Sequence, residues 1–147
     1  MAPTGDAGPE QPIVLRLPAD ESLIHIARLT ASGVAARAGL TIDRLEDLKL
    51  AVSEALIDRL ETRAGVRWVQ VAFSLSDAAL VVEVVGDESE GGGDPGDESS
   101  YALALMESVV DEVHGDHDEE GRSVTRLIIR LPGTGGQPPA GVDAGAR

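Results

Sequence analysis

The chain has 147 residues, a net charge of −14 and no cysteine. That length suits one domain with a single modest core. The negative field excludes DNA, RNA and anionic membranes as direct partners, and the missing cysteines exclude a disulfide framework and a thiolate metal site. Apolar residues make up 42% of the chain, yet its only aromatic residues are Trp68, Phe73 and Tyr101. The core must therefore be aliphatic, and stacking on nucleic-acid bases is not available. No apolar run reaches the length of a membrane span. The N-terminal MAPTGDAGPEQP is acidic and rich in Pro and Gly, unlike a signal peptide. The chain reads as soluble and cytoplasmic.

Residues 1–12 read as a disordered N-terminal segment and residues 132–147 as a disordered tail, both poor in apolar residues. The folded domain is then 13–131. Ile13–Leu17 reads as a first strand, closed by Pro18. Asp20 or Ser22 caps a helix with Leu23, Ile26, Ala27, Thr30 and Val34 at helical spacing, stopped by Gly39. Thr41 or Asp43 starts a second helix, with Leu45, Leu48, Val52 and Leu56 as its apolar stripe out to about Glu61. Val66–Leu75 alternates as a strand, turns at Ser76-Asp77, and pairs with Leu80–Val85 as a hairpin.

Residues 86–99 hold five glycines and six acids and read as a mobile loop. Helical spacing returns from Tyr101 to Val113 through Leu103, Met106, Val109 and Val110. Residues 114–122 read as an acidic turn, and Ser123–Leu131 as the last strand. Strands in a run with helices between them predict an α+β two-layer sandwich. Its sheet is mixed, mostly antiparallel, with helices on one face.

The second helix carries the candidate chemistry. Glu54 and Asp58 are four apart and share one face, with Asp47 and Glu61 near the same side. One reading is a solvated acidic face. The other is a carboxylate pair over a cleft, one polarising a hydroxyl and the other holding a divalent cation. His114 and His117, with acids around them, match zinc spacing poorly and read as part of a solvated turn. His25 reads as a partly buried structural residue, and Met106 as core.

Leu50-Ala51-Val52-Ser53-Glu54-Ala55 resembles the start of the asparagine box of the anti-sigma-factor serine kinases, within the histidine-kinase and gyrase ATPase superfamily. The resemblance implies the histidine-kinase-like ATPase fold. It makes Glu54 the activating carboxylate, and the family's magnesium-binding Asn position is Asp58. The histidine often found four residues on is Thr62. The family's next box, Asp-x-Gly-x-Gly after a strand, contacts the adenine amine through its Asp. Here Gly86, Glu88 and Glu90 stand in those positions, and Asp87 sits one residue late, able to substitute if the strand slips. Two carboxylates beside a triphosphate are repulsive. The phosphate box Gly-x-Gly-Leu becomes Ser100-Tyr101-Ala102-Leu103, which makes Ser100, Ala102 and Leu103 the positions facing the phosphates. Gly121-Arg122-Ser123-Val124 resembles the family's lead-in to the last strand.

By resemblance, the implied function is an anti-sigma-factor-like regulator of transcription. It would bind a sigma factor, its antagonist protein, or both, commonly as a homodimer, with a degenerate site for ATP and Mg. The alternative is an active serine protein kinase that phosphorylates the antagonist. The altered glycine boxes favour binding over catalysis.

Overall fold

A computed structural model describes residues 11–62, 65–87 and 99–132. The first strand, β1 (Ile13–Pro18), turns Leu15 and Leu17 toward the interior and leaves Val14 and Arg16 outside. Beyond it the Asp20 carboxylate accepts hydrogen bonds from the Ser22 main chain (2.9 Å) and hydroxyl (2.8 Å). This caps a single 3-10 turn, Glu21–Leu23, which leads into α1 (Ile24–Arg37). Ile24, Ala27, Ala31, Val34 and Ala35 are the buried face of α1. His25 is exposed rather than partly buried, its Nδ1 lying 2.7 Å from the Ser22 carbonyl. Gly39, at φ 77°, turns the chain out of the helix.

The Thr41 hydroxyl accepts from the Arg44 main chain (3.2 Å) and opens α2 (Ile42–Thr62). Leu48, Ala51, Val52, Ala55 and Leu56 are buried along it. Next come β2 (Trp68–Leu75) and β3 (Ala79–Gly86), a hairpin whose Ser76 hydroxyl accepts from the Ala78 (3.3 Å) and Ala79 (3.2 Å) main chains. The predicted 86–99 loop falls mainly outside the described residues, as do the two terminal segments apart from their innermost residues.

The third helix, α3 (Ser99–Val109), is shorter than its spacing predicts. Val113 is not helical, and the first four residues of the expected 114–122 turn belong to a strand, β4 (Glu112–His117), pairing with β5 (Ser123–Arg130). The turn itself is 118–122. Its Asp118 carboxylate accepts from the Glu120 and Arg122 main chains and from Arg122 Nε, and Gly121 sits at φ 80°.

The five strands run in the order β1-β2-β3-β5-β4, and each pair is antiparallel, so the sheet is not mixed. Period-two alternation sends Val69, Val71 and Phe73 of β2, Leu80, Val82 and Val84 of β3, and Leu127 and Ile129 of β5 to the helix side. There they join α1 and α2 in one aliphatic core, with Ala102, Met106 and Val110 added from α3 and its end. Leu103, expected on that stripe, is exposed. Among the described residues no helix covers the other face of the sheet. Among the described residues no helix is long and apolar enough to cross a membrane.

Candidate functional site

Arg44, Asp47, Ala51, Glu54 and Asp58 recur every three or four residues and form one side of α2. Arg44 shows what that side faces. Its Nη1 donates to the Val109 carbonyl (3.3 Å), and its Nη2 to the Asp111 carboxylate (2.8 Å), at the end of α3. The end of α3 therefore lies at the start of α2, and α3 packs back along it. The 11 residues of α3 rise about 16 Å at about 1.5 Å each, about the distance along α2 from Arg44 to Glu54.

Both carboxylate residues are half-buried. Ser53 beside them is buried, and its hydroxyl donates to the Lys49 carbonyl (2.8 Å). Thr62, at the expected histidine position, donates from Oγ1 to the Asp58 main-chain oxygen (2.6 Å). Ser100 lies in the first turn of α3, where the resemblance puts the phosphates. Ala102 is buried against the core, and Leu103 faces solvent. Of the phosphate-box positions, Ala102 thus packs into the core and Leu103 points outward, rather than both lining one site with Glu54 and Asp58.

Asp87 is placed differently. The β2–β3 register pairs Val69 with Gly86 without a slip. Leu80, Val82 and Val84 face the helices, so Gly86 is next in that row and Asp87 is not. The Asp87 carboxylate instead accepts from the main-chain N–H of Arg67 (2.6 Å) and of Trp68 (3.1 Å), and from Arg67 Nε (2.8 Å). Its side chain is only 9% exposed. Burial pushes its pKa up, but the two main-chain donors and the Arg67 guanidinium outweigh it and hold the carboxyl below the ordinary aspartate value. The residues at this end do not fit an adenine contact of the family's kind. Gly86 brings no carboxylate, and that of Asp87 is bound to the start of β2.

A residue outside the sequence expectations completes the region. Arg59 of α2 is 2% exposed. It donates from Nη1 to the Ser123 carbonyl (3.0 Å), and from Nη2 to the Val84 carbonyl (3.0 Å) and the Thr125 hydroxyl (2.9 Å). The signal was available. Arg59 lies three residues beyond Leu56 and seven beyond Val52, on the buried stripe.

His114 and His117 are an odd number of residues apart on β4 and point to opposite faces. His114 Nε2 lies 3.0 Å from Glu112 Oε1. Among the described residues, no three His, Asp or Glu side chains gather to hold a metal. A cavity of about 270 Å³ is lined by Gln11, Ile13, Val34, Arg37, Phe73 and Leu75, none of them a candidate residue.

A five-stranded antiparallel sheet with helices on one face, and a carboxylate pair on its second helix, defines a two-layer ATPase-type sandwich. The chain belongs to the family of histidine kinase-like ATPase domains, which matches residues 17–129. It is 34% identical over 123 residues to the serine-protein kinase RsbW of Bacillus subtilis, covering 69% of this chain and 75% of that protein. The serine-protein kinase RsbW of Bacillus licheniformis is 30% identical over 139 residues, covering 80% of this chain and 86% of that protein. The same fold occurs in a crystal structure of the RsbU and RsbW domains of Rv1364c from Mycobacterium tuberculosis. There the TM-score is 0.64 at 21% identity, over 83% of this chain and 33% of that one.

Proposed function

We propose that this chain is an anti-sigma-factor-like regulator that acts by binding proteins, a sigma factor and its antagonist, with a nucleotide site degenerate at its base end. The observation that carries this reading is the Asp87 carboxylate, turned away from the groove onto Arg67 and Trp68 while Gly86 stands in the helix-facing row. A net charge of −14 steers a partner with a basic docking surface. The resemblance assigns partner contact to the first helix and the asparagine-box region. There Leu29 of α1 and Leu50 of the asparagine box are apolar side chains open to solvent. Homodimer formation belongs to the same reading.

A second reading, a serine protein kinase using Mg-ATP, is favoured by two facts. Glu54 and Asp58 share one side of α2, and the two RsbW relatives are serine-protein kinases. In that reading Glu54 is the base, Asp58 holds the metal, and Ser100, Ala102 and Leu103 line the phosphates.

Calorimetric titration with Mg-ATP, on the wild type and on Glu54→Ala and Asp58→Ala, separates the two. The binding reading expects no saturable heat, together with co-purification of a sigma factor or antagonist. Saturable heat that disappears in both variants would favour the kinase.

A further inference from the structure

We infer that Arg59 fills the base position of this fold from within, so that the groove has no adenine selectivity of its own. The inference rests on the reading of a nucleotide site degenerate at its base end, and it names what occupies that end.

The resemblance places the adenine amine at the end of β3, at the position now held by Gly86. Val84 is the residue before Gly86 in the same helix-facing row, and its carbonyl is bound by Arg59 Nη2. Ser123 and Thr125 begin β5, the strand beside β3, and Thr125 is the cross-strand partner of Val84. The Ser123 carbonyl and the Thr125 hydroxyl are also taken by the Arg59 guanidinium. Three acceptor oxygens from two neighbouring strands thus converge between the sheet and the last turns of α2. Convergent acceptors are what the exocyclic amine of an adenine seeks. In this chain a planar fork of guanidinium donors satisfies them instead.

The occupant is held firmly. Arg59 is 2% exposed, and no described side-chain polar atom is left buried without a partner. A base entering here would have to displace a buried cation from its acceptors. Gly86 offers no side-chain carboxylate in exchange, and the carboxylate of Asp87 is engaged at Arg67 and Trp68. The side of α2 that carries Glu54 and Asp58 also carries Arg44, whose guanidinium reaches the end of α3 rather than the sheet. The base end is closed by Arg59.

The test compares Mg-ATP, Mg-GTP and Mg-tripolyphosphate by calorimetry on the full chain. In the wild type, the inference expects ATP to bind within about threefold of tripolyphosphate, or neither to bind. Arg59→Ala removes the fork and frees the three acceptors. It should prefer ATP over both GTP, whose ring presents a carbonyl at the amine position, and tripolyphosphate by about tenfold or more. Circular dichroism establishes that the variant is folded. A wild type that already prefers ATP about tenfold over tripolyphosphate overturns the inference, as does a folded Arg59→Ala with no gain in preference. If Arg59→Ala does not fold, the wild-type comparison decides by the same criterion. Loss of sigma-factor or antagonist binding would count against the regulatory reading and leave this result unaffected.

Discussion

Arg59 and Arg126 lie on the two faces of one sheet, and their surroundings differ in kind. Arg59 is on the helix-covered face, nearly sealed from water, with three neutral oxygens among its acceptors. Arg126 is on the open face, bound to the carboxylates of Glu83 (2.8 Å) and Asp116 (3.2 Å), with about a third of its side chain in contact with water. Around it, Arg16 stacks over Trp68 at 3.9 Å, and Arg130 pairs with Glu112 at 2.6 Å. A buried cation must be fully satisfied because water cannot replace a lost partner. An exposed pair is screened and easily replaced. One residue type therefore holds α2 to the sheet on one face and makes adjustable surface pairs on the other.

This contrast can be broken at graded cost. Arg59→Met keeps bulk but leaves three buried acceptors unpaired, and should lower unfolding stability by about 3 kcal/mol in urea titrations. A loss comparable to that of a surface substitution would mean that the Arg59 bonds are not formed in solution.

Asp87→Ala comes next, at about 1–2 kcal/mol, because it strips two main-chain N–H groups of their acceptor. Its depressed pKa fixes the pH dependence. The Asp87 contribution is fully present above the unfolded aspartate value of 3.8 and is lost as pH falls through the lower folded value. The wild type should therefore lose more stability than Asp87→Ala on acidification below pH ~4. Parallel curves would remove Asp87 from this role.

The smallest effect belongs to the open face. Arg126→Met should cost at most about 1 kcal/mol, and less at about 1 M salt than at about 0.1 M. A large, salt-independent loss would erase the distinction between the two faces.

The elements that pack by apolar pattern were legible in the sequence. β1, β2 and β3 alternate, and α1 and α2 carry stripes that the core absorbs. β4 was not legible, because its pairing is written in charges. Glu112, His114 and Asp116 point to the open face, where Glu112 and Asp116 meet Arg130 and Arg126, and Val113 alone gives β4 an apolar side chain. Such a stretch reads as a solvated turn until its partner strand is known.

The candidate site divides similarly. Glu54 and Asp58 could be read from Leu50–Ala55 and the helical period. The commitment of Asp87 to β2 depends on the register between two strands, which a single strand does not reveal. Arg59 carries a charge, and a charge in a sequence is normally read as surface. Its place three residues beyond Leu56 on the apolar stripe marks it for burial, and the convergence of Val84, Ser123 and Thr125 above the sheet supplies partners for it there.

The most direct measurement is a nitrogen-15 NMR titration of the wild type with Mg-ATP, following the Arg59 guanidinium signals assigned by comparison with Arg59→Lys. The account predicts that these signals stay protected from solvent and keep their shifts up to millimolar nucleotide. A saturable shift, or loss of protection as Mg-ATP is added, would mean that the base displaces Arg59, and would contradict it.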